Sequence, residues 1–167
     1  VQVNADGMIH LMAGAVDIGQ GSNTILTQMA ADVLAVDPES IRLTTADTDT
    51  TPPCMGTFGS RVTFCAGNAV FEAANNVKKK LLEEAAEMLE ANELDLQMNQ
   101  KRIFVKGSPG VSVTFAEVAS VVHYKKRKTL IGNGYYNGPE AVSKDFDAVS
   151  YRGYPSPTMV FGTHIAE

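Results

Sequence analysis

Asp17-Ile18-Gly19-Gln20-Gly21-Ser22-Asn23-Thr24 separates two runs of different periodicity. Before it, in Met8–Val16, Ile9, Leu11, Ala13 and Ala15 alternate with Met8, His10, Met12 and Gly14, the period of a strand. Both sets are largely apolar, which predicts a strand covered on both sides. After it, Ile25, Leu26, Met29, Ala30, Val33 and Leu34 recur at helical spacing, with Ser22 as the expected N-cap. Asp37-Pro38 ends that helix and Ile41–Thr45 reads as the next strand. The class is therefore α+β, an interleaved mixed sheet with helices.

A second glycine segment shares the design of the first. Gly56-Thr57-Phe58-Gly59-Ser60-Arg61-Val62-Thr63 ends the Thr/Asp/Pro/Gly loop Ala46–Gly59 and opens the longest helix, with Ser60 as its expected cap. Glycine allows backbone N–H groups to approach a ligand closely, and a helix N-terminus presents unpaired donors. The hydroxyls of Ser22, Thr24, Ser60 and Thr63 and the charge of Arg61 extend that donor set toward a phosphate or pyrophosphate. Either loop taken alone reads more readily as ordinary capping than as a ligand cradle. The first departs from the dinucleotide fingerprint, because Thr24 stands where the third glycine belongs. Nor is it a Walker loop, since no Lys precedes its Ser22 or Thr24.

Working outward, Val1–Val3 and Met8–Val16 flank Asp6-Gly7, a hairpin signal. The long helix carries its apolar stripe from Val62 to Met88, and Ala66, Gly67, Ala69, Ala73 and Ala74 in its first half predict close approach of another backbone. Its charged second half reads as a solvated face. A hairpin is expected around Asn99-Gln100-Lys101, then a turn at Ser108-Pro109-Gly110 and the strand Val111–Thr114. A helix then starts at Thr114 or Ser112 and ends in Lys125-Lys126-Arg127-Lys128, where cations suit the macrodipole. Thr129–Ala148 reads as loop and Thr158–Glu167 as a final strand.

The 167 residues match one domain. An excess of 19 acidic over 14 basic residues, net charge -5, argues against a partner bound through nucleic-acid phosphate. Cys54 and Cys65 are too few for a disulfide scaffold, a thiolate zinc site or a self-contained iron–sulfur cluster. His10, His123 and His164 lack metal-ligand spacing. Asp47-Thr48-Asp49 lacks the Gly and Glu of a calcium loop. No apolar stretch has the length of a membrane span, and the expected location is cytoplasmic. Residues 1–167 read as a single domain cut from a longer chain.

The run Asp17 to Thr24, with Gln28 and Ala30-Ala31-Asp32 behind it, resembles the molybdopterin-binding subunit of the xanthine dehydrogenase/aldehyde oxidoreductase family. Ala46-Asp47-Thr48-Asp49-Thr50-Thr51-Pro52 and then Gly56 through Gly67-Asn68-Ala69 are similar to that family's next signature. The resemblance implies a molybdenum subunit gripping molybdopterin, as its cytosine dinucleotide, between backbone loops. By position, the amide of Gln20 would approach the molybdenum centre and hydrogen-bond an oxygen ligand, outside direct coordination. Gly21, Ser22 and Thr24 would lie along the pterin and phosphate. Phe58, Gly59 and Ser60 would pass beside the metal and pterin, with Arg61 and Thr63 behind them. The implied chemistry is hydroxylation of an aldehyde or N-heterocycle with water as oxygen source. Electrons would leave through [2Fe-2S] clusters and FAD on other domains or subunits. No catalytic residue is assigned in this stretch, since the family's glutamate base falls beyond Glu167. The isolated chain is expected to be inactive. The competing reading is a non-catalytic α/β module that binds a phosphate ligand or serves as a scaffold in a larger complex.

Overall fold

The two apolar runs around Asp6-Gly7 form the predicted hairpin, β1 (Gln2–Val3) pairing antiparallel with β2 (Ile9–Ala13) and Gly7 N donating to Asn4 O at 2.8 Å. The computed structural model describes residues 1–136 and, beyond them, 147, 149, 150, 152, 158, 165 and 166. Helix α1 (Ser22–Leu34) returns the chain to β3 (Ile41–Thr45), parallel to β2. A π-helical turn (Val62–Ala66) leads into α2 (Gly67–Leu89). There follow β4 (Leu96–Asn99), β5 (Arg102–Val105), β6 (Ser108–Thr114), α3 (Phe115–Ser120) and β7 (Leu130–Ile131).

Two sheets result, one ordered β3-β2-β1-β7 and one an antiparallel meander β4-β5-β6. Ile9, Leu11 and Ala13 of β2 are buried while His10 and Met12 are only half-buried, so one face of the strand is fully covered. The expectation of full cover on both faces is corrected to that extent. His10 Nε2 lies 2.8 Å from Thr44 Oγ1 across the parallel pair. The core joins Leu26 and Leu34 of α1, Val77 and Leu81 of α2, Ile103 of β5 and Phe115 of α3, all fully buried. Burying a side chain of this size contributes about 1.5–3 kcal/mol.

The small-residue stripe on α2 meets the backbone it predicts. A Cβ on Gly132 would sit 2.1 Å from Ala73 O, and one on Gly134 would sit 1.8 Å from Ala69 O. On the facing side Gly67 touches the end of Met29 from α1. The strand β7 forms within what reads as loop, because it adds to the open edge of β1. β6 begins at Ser108, so Ser108-Pro109-Gly110 lies inside the strand. Thr114 starts α3 with a capping box to Glu117. Lys126 then bonds Glu84 and Glu87 of α2, a tertiary tie in addition to any dipole effect. Of the final strand expected over Thr158–Glu167, Thr158, Ile165 and Ala166 are described and none of the three is in a strand; the other positions lie outside the described residues.

Both expected serine caps are replaced. Gly21, in the left-handed region at φ 80, is the residue that caps α1, and Ser22 is the first helical residue, with its side chain buried. Ser60 is exposed at φ 57, and Arg61 precedes the π-helical turn. With Ser60 in the left-handed region, the helical backbone starts only after it.

Candidate functional site

The two glycine loops follow the carboxyl ends of β2 and β3, the end of a parallel pair where ligand sites form. The first is built around Asp17. Its Oδ1 accepts from Gly19 N at 2.8 Å and its Oδ2 from Asn23 N at 3.0 Å. The Asn23 N–H first, then that of Gly19, hold the Asp17 carboxyl below its ordinary range. The N-terminal dipole of α1 is thus already met by an internal anion. An incoming phosphate cannot take those two donors without displacing Asp17.

What the loop offers outward is different. Gly19 at φ 100 and Gly21 at φ 80 need glycine for their backbone conformation, and among the described residues a Cβ on either would meet nothing within 4 Å. Their backbone faces are open. Gln20, exposed between them, turns its amide back on the loop: Oε1 accepts from Ile18 N at 2.6 Å and Nε2 donates to Val16 O at 3.1 Å. A primary amide carries two hydrogens on nitrogen, so one remains available to a ligand. Thr24 is exposed on the first turn of α1. Ser22 is 1% exposed and its Oγ has no hydrogen-bond partner among the described residues. Its effect on the Asp17 carboxyl is the weakest of the contributions there. The whole residue, backbone included, is covered, and Ser22 offers no surface to a ligand in this chain.

The second loop is braced by Arg61. Its Nη1 donates to Gly56 O at 2.8 Å and to Cys54 Sγ at 3.4 Å, and the guanidinium lies over the Phe58 ring, 5.7 Å from its centroid. Arg61 N donates to Phe58 O at 3.2 Å and Thr158 Oγ1 to Gly59 O at 2.8 Å. Phe58, Gly59, Ser60 and Thr63 are exposed. Among the described residues no side chain caps the π-helical turn that follows, which leaves its first N–H groups without a side-chain cap there.

The loops are joined. Thr57 Oγ1 donates to Val16 O at 2.7 Å, the carbonyl that also accepts from Gln20. Beside the junction, Gly14, Pro52–Met55, Arg61 and Tyr135 help to line a mainly apolar cavity of about 560 Å³. Ile18 at 71%, Met55 at 77% and Phe58 at 58% exposure leave large apolar side chains uncovered on both loops, a surface fitted to a cover. Asp17 and Thr57 stand inside the two segments singled out from sequence but had no role assigned. An Asp two residues before a glycine signals an Asx turn. Nothing local signals the Thr57 contact.

A family model described as molybdopterin cofactor-binding domain matches residues 1–167. The chain is 32% identical over 165 residues to the carbon monoxide dehydrogenase large chain of Hydrogenophaga pseudoflava, covering 99% of this chain and 19% of that one. It is 36% identical over 108 residues to the putative xanthine dehydrogenase molybdenum-binding subunit XdhA of Escherichia coli strain K12, covering 64% and 14%. Among solved structures, quinoline 2-oxidoreductase from Pseudomonas putida 86 superposes with a TM-score of 0.72 at 26% identity, over 82% of this chain and 18% of that one. Reconstituted CO dehydrogenase from Oligotropha carboxidovorans gives 0.72 at 34% identity, over 83% and 18%. The chain spans about a fifth or less of the length of these relatives.

Proposed function

This chain belongs to the molybdopterin cofactor-binding domain family, and from that premise we propose that it is one domain of a larger molybdenum subunit whose two glycine loops hold the cofactor. The observation that carries the reading is the junction itself: two outward-facing glycine loops, past the ends of parallel strands, tied together at Val16 O. The residues fit the group. Open glycine faces at Gly19 and Gly21 let a flat ligand approach, and one N–H of Gln20 is left to donate to a cofactor oxygen at the molybdenum end. Gly21 and the Thr24 hydroxyl, both exposed, lie along the pterin and phosphate, with the buried Ser22 between them. Phe58, Gly59 and Ser60 pass beside it by backbone contact, and Arg61 and Thr63 stand behind.

When bound, the cofactor supplies two-electron oxidation of a carbon centre with water as the oxygen source. The chain's own residues orient it on one side. Arg61, its guanidinium already held on Gly56 O and against Phe58, adds positive charge beside the phosphate part without swinging free. The finer assignments belong to the same proposal: the cytosine dinucleotide form, an aldehyde or N-heterocycle as substrate, [2Fe-2S] and FAD on partner domains or subunits, and a cytoplasmic location. Relatives named for carbon monoxide, xanthine and quinoline support a small carbon-centred substrate without selecting one. The apolar residues Ile18, Met55 and Phe58 are then covered by the rest of the subunit.

Metal analysis and mass spectrometry of the purified intact parent protein test the reading. Molybdenum with a pterin dinucleotide, near one per subunit, is the expected result. An active parent reproducibly lacking molybdenum overturns it.

A further inference from the structure

We propose that Thr57 is a positioning residue that fixes the Gln20 amide from across the junction of the two loops. The proposal rests on the cofactor reading of the Gln20 loop and extends it to a residue without a role there. Gln20 is anchored at two points, Oε1 on Ile18 N at 2.6 Å and Nε2 on Val16 O at 3.1 Å. Both anchors belong to its own exposed turn, which Asp17 ties to Asn23 of α1, so neither fixes the amide relative to the second loop. Thr57 supplies the missing reference, because its Oγ1 donates to that same Val16 oxygen at 2.7 Å.

A carbonyl oxygen has two lone pairs, and here one serves each loop. Thr57 is itself held on both sides. Arg61 Nη1 bonds Gly56 O, the Arg61 guanidinium lies over Phe58, and Arg61 N bonds Phe58 O. The branched Thr57 side chain adds a restricted χ1. The path from the rigid second loop to the Gln20 amide is therefore continuous: Arg61, Gly56 and Phe58, Thr57 hydroxyl, Val16 carbonyl, Gln20 Nε2. Thr57 reaches the cofactor only through Gln20.

Thr57→Val deletes the donor and keeps the shape; Thr57→Ser keeps the donor. The experiment uses the intact parent subunit, with these variants, Gln20→Ala and the double variant Gln20→Ala/Thr57→Val. Three quantities are read: molybdenum per subunit, kcat and KM with the parent's own substrate, and amide hydrogen exchange of the peptide spanning Val16–Gly21. For Thr57→Val, exchange in that peptide should rise several-fold. Loss of one hydrogen bond should lower kcat about threefold to tenfold, with KM and molybdenum content at parental values. Thr57→Ser should restore both readouts, and in the Gln20→Ala background Thr57→Val should lower kcat no further. Unchanged exchange at Val16–Gly21 in Thr57→Val, or independent multiplication of the two effects, overturns the role of Thr57 and leaves the cofactor reading standing. Gln20→Ala with parental turnover and molybdenum content sinks the cofactor reading of this loop and the Thr57 proposal with it. If Thr57→Val does not load molybdenum, exchange in the cofactor-free subunit, compared with cofactor-free parent, decides alone.

Discussion

Asp17 shows how one side chain sets the character of the site. Its carboxylate satisfies Gly19 N and Asn23 N and lies at the N-terminus of α1, where negative charge is favoured. The helix end that a glycine loop ordinarily lends to a phosphate is thus used to shape the loop. The Asn23 and Gly19 N–H groups depress the folded-state pKa below the ordinary 3.8. A depressed carboxylate contributes stability that is fully present above its unfolded pKa and is lost as pH falls through the folded one. Asp17→Asn should therefore lower the urea midpoint at neutral pH, and the deficit should shrink once pH drops below about 3.8. Asp47, Glu117 and Asp147 are depressed as well, but they titrate in both proteins and cancel in the difference. A deficit that stays constant from neutral to strongly acid pH rules out the ionised carboxylate as the source.

At the scale of elements, the close approaches along α2 make a graded prediction. A Cβ on Gly134 would lie 1.8 Å from Ala69 O and 2.6 Å from Ala73 N, both backbone atoms of a helix that cannot yield. A Cβ on Gly67 would meet only the flexible end of Met29 at 2.8 Å. Gly134→Ala should cost about 1–3 kcal/mol or more, as overpacking does. Gly67→Ala should come out within about 1 kcal/mol of neutral, since the gain in helix propensity offsets the shift of Met29. Urea unfolding of the two variants checks the order, and the reverse ranking would show that the 132–134 segment does not pack on α2 as described. The stripe Ala66, Gly67, Ala69, Ala73 and Ala74 was legible in the sequence because small residues at helical spacing announce a close neighbour. The neighbour's identity was not, since Gly132 and Gly134 are joined to it only by tertiary packing. The hairpin around Gln100-Lys101 was also legible from its flanking runs, although both turn residues take positive φ, 47 and 61, without a glycine. Ser60 was misread as a cap because a serine before an apolar run looks the same whether the helix opens as an α- or a π-turn. In the candidate site, Gln20 and the second loop were singled out by their motifs. The Thr57–Val16 bond was not, because it joins two loops with no local pattern for the contact.

At the scale of the whole molecule, core and site have different requirements. The core is internal: Leu26, Leu34, Val77, Leu81, Ile103 and Phe115 are fully buried by residues of this chain alone. The site is open on the side where Ile18, Met55 and Phe58 protrude, and the chain spans only about a fifth of relatives that share this fold. A hydrogen bond left in contact with water contributes about 1 kcal/mol, whereas the same bond inside a closed, low-dielectric site is several times stronger. Two loops on an exposed face therefore cannot retain a cofactor that is held, in the proposed assembly, from several sides. The 167-residue chain produced alone should unfold cooperatively in urea, as a domain with one core does, and should purify with molybdenum far below one per chain. It should show no dye-linked oxidation of aldehydes or N-heterocycles. Near-stoichiometric molybdenum in that preparation would mean that the loops suffice without the remaining walls. A chain that fails to unfold cooperatively would mean instead that the core itself depends on contacts outside residues 1–167.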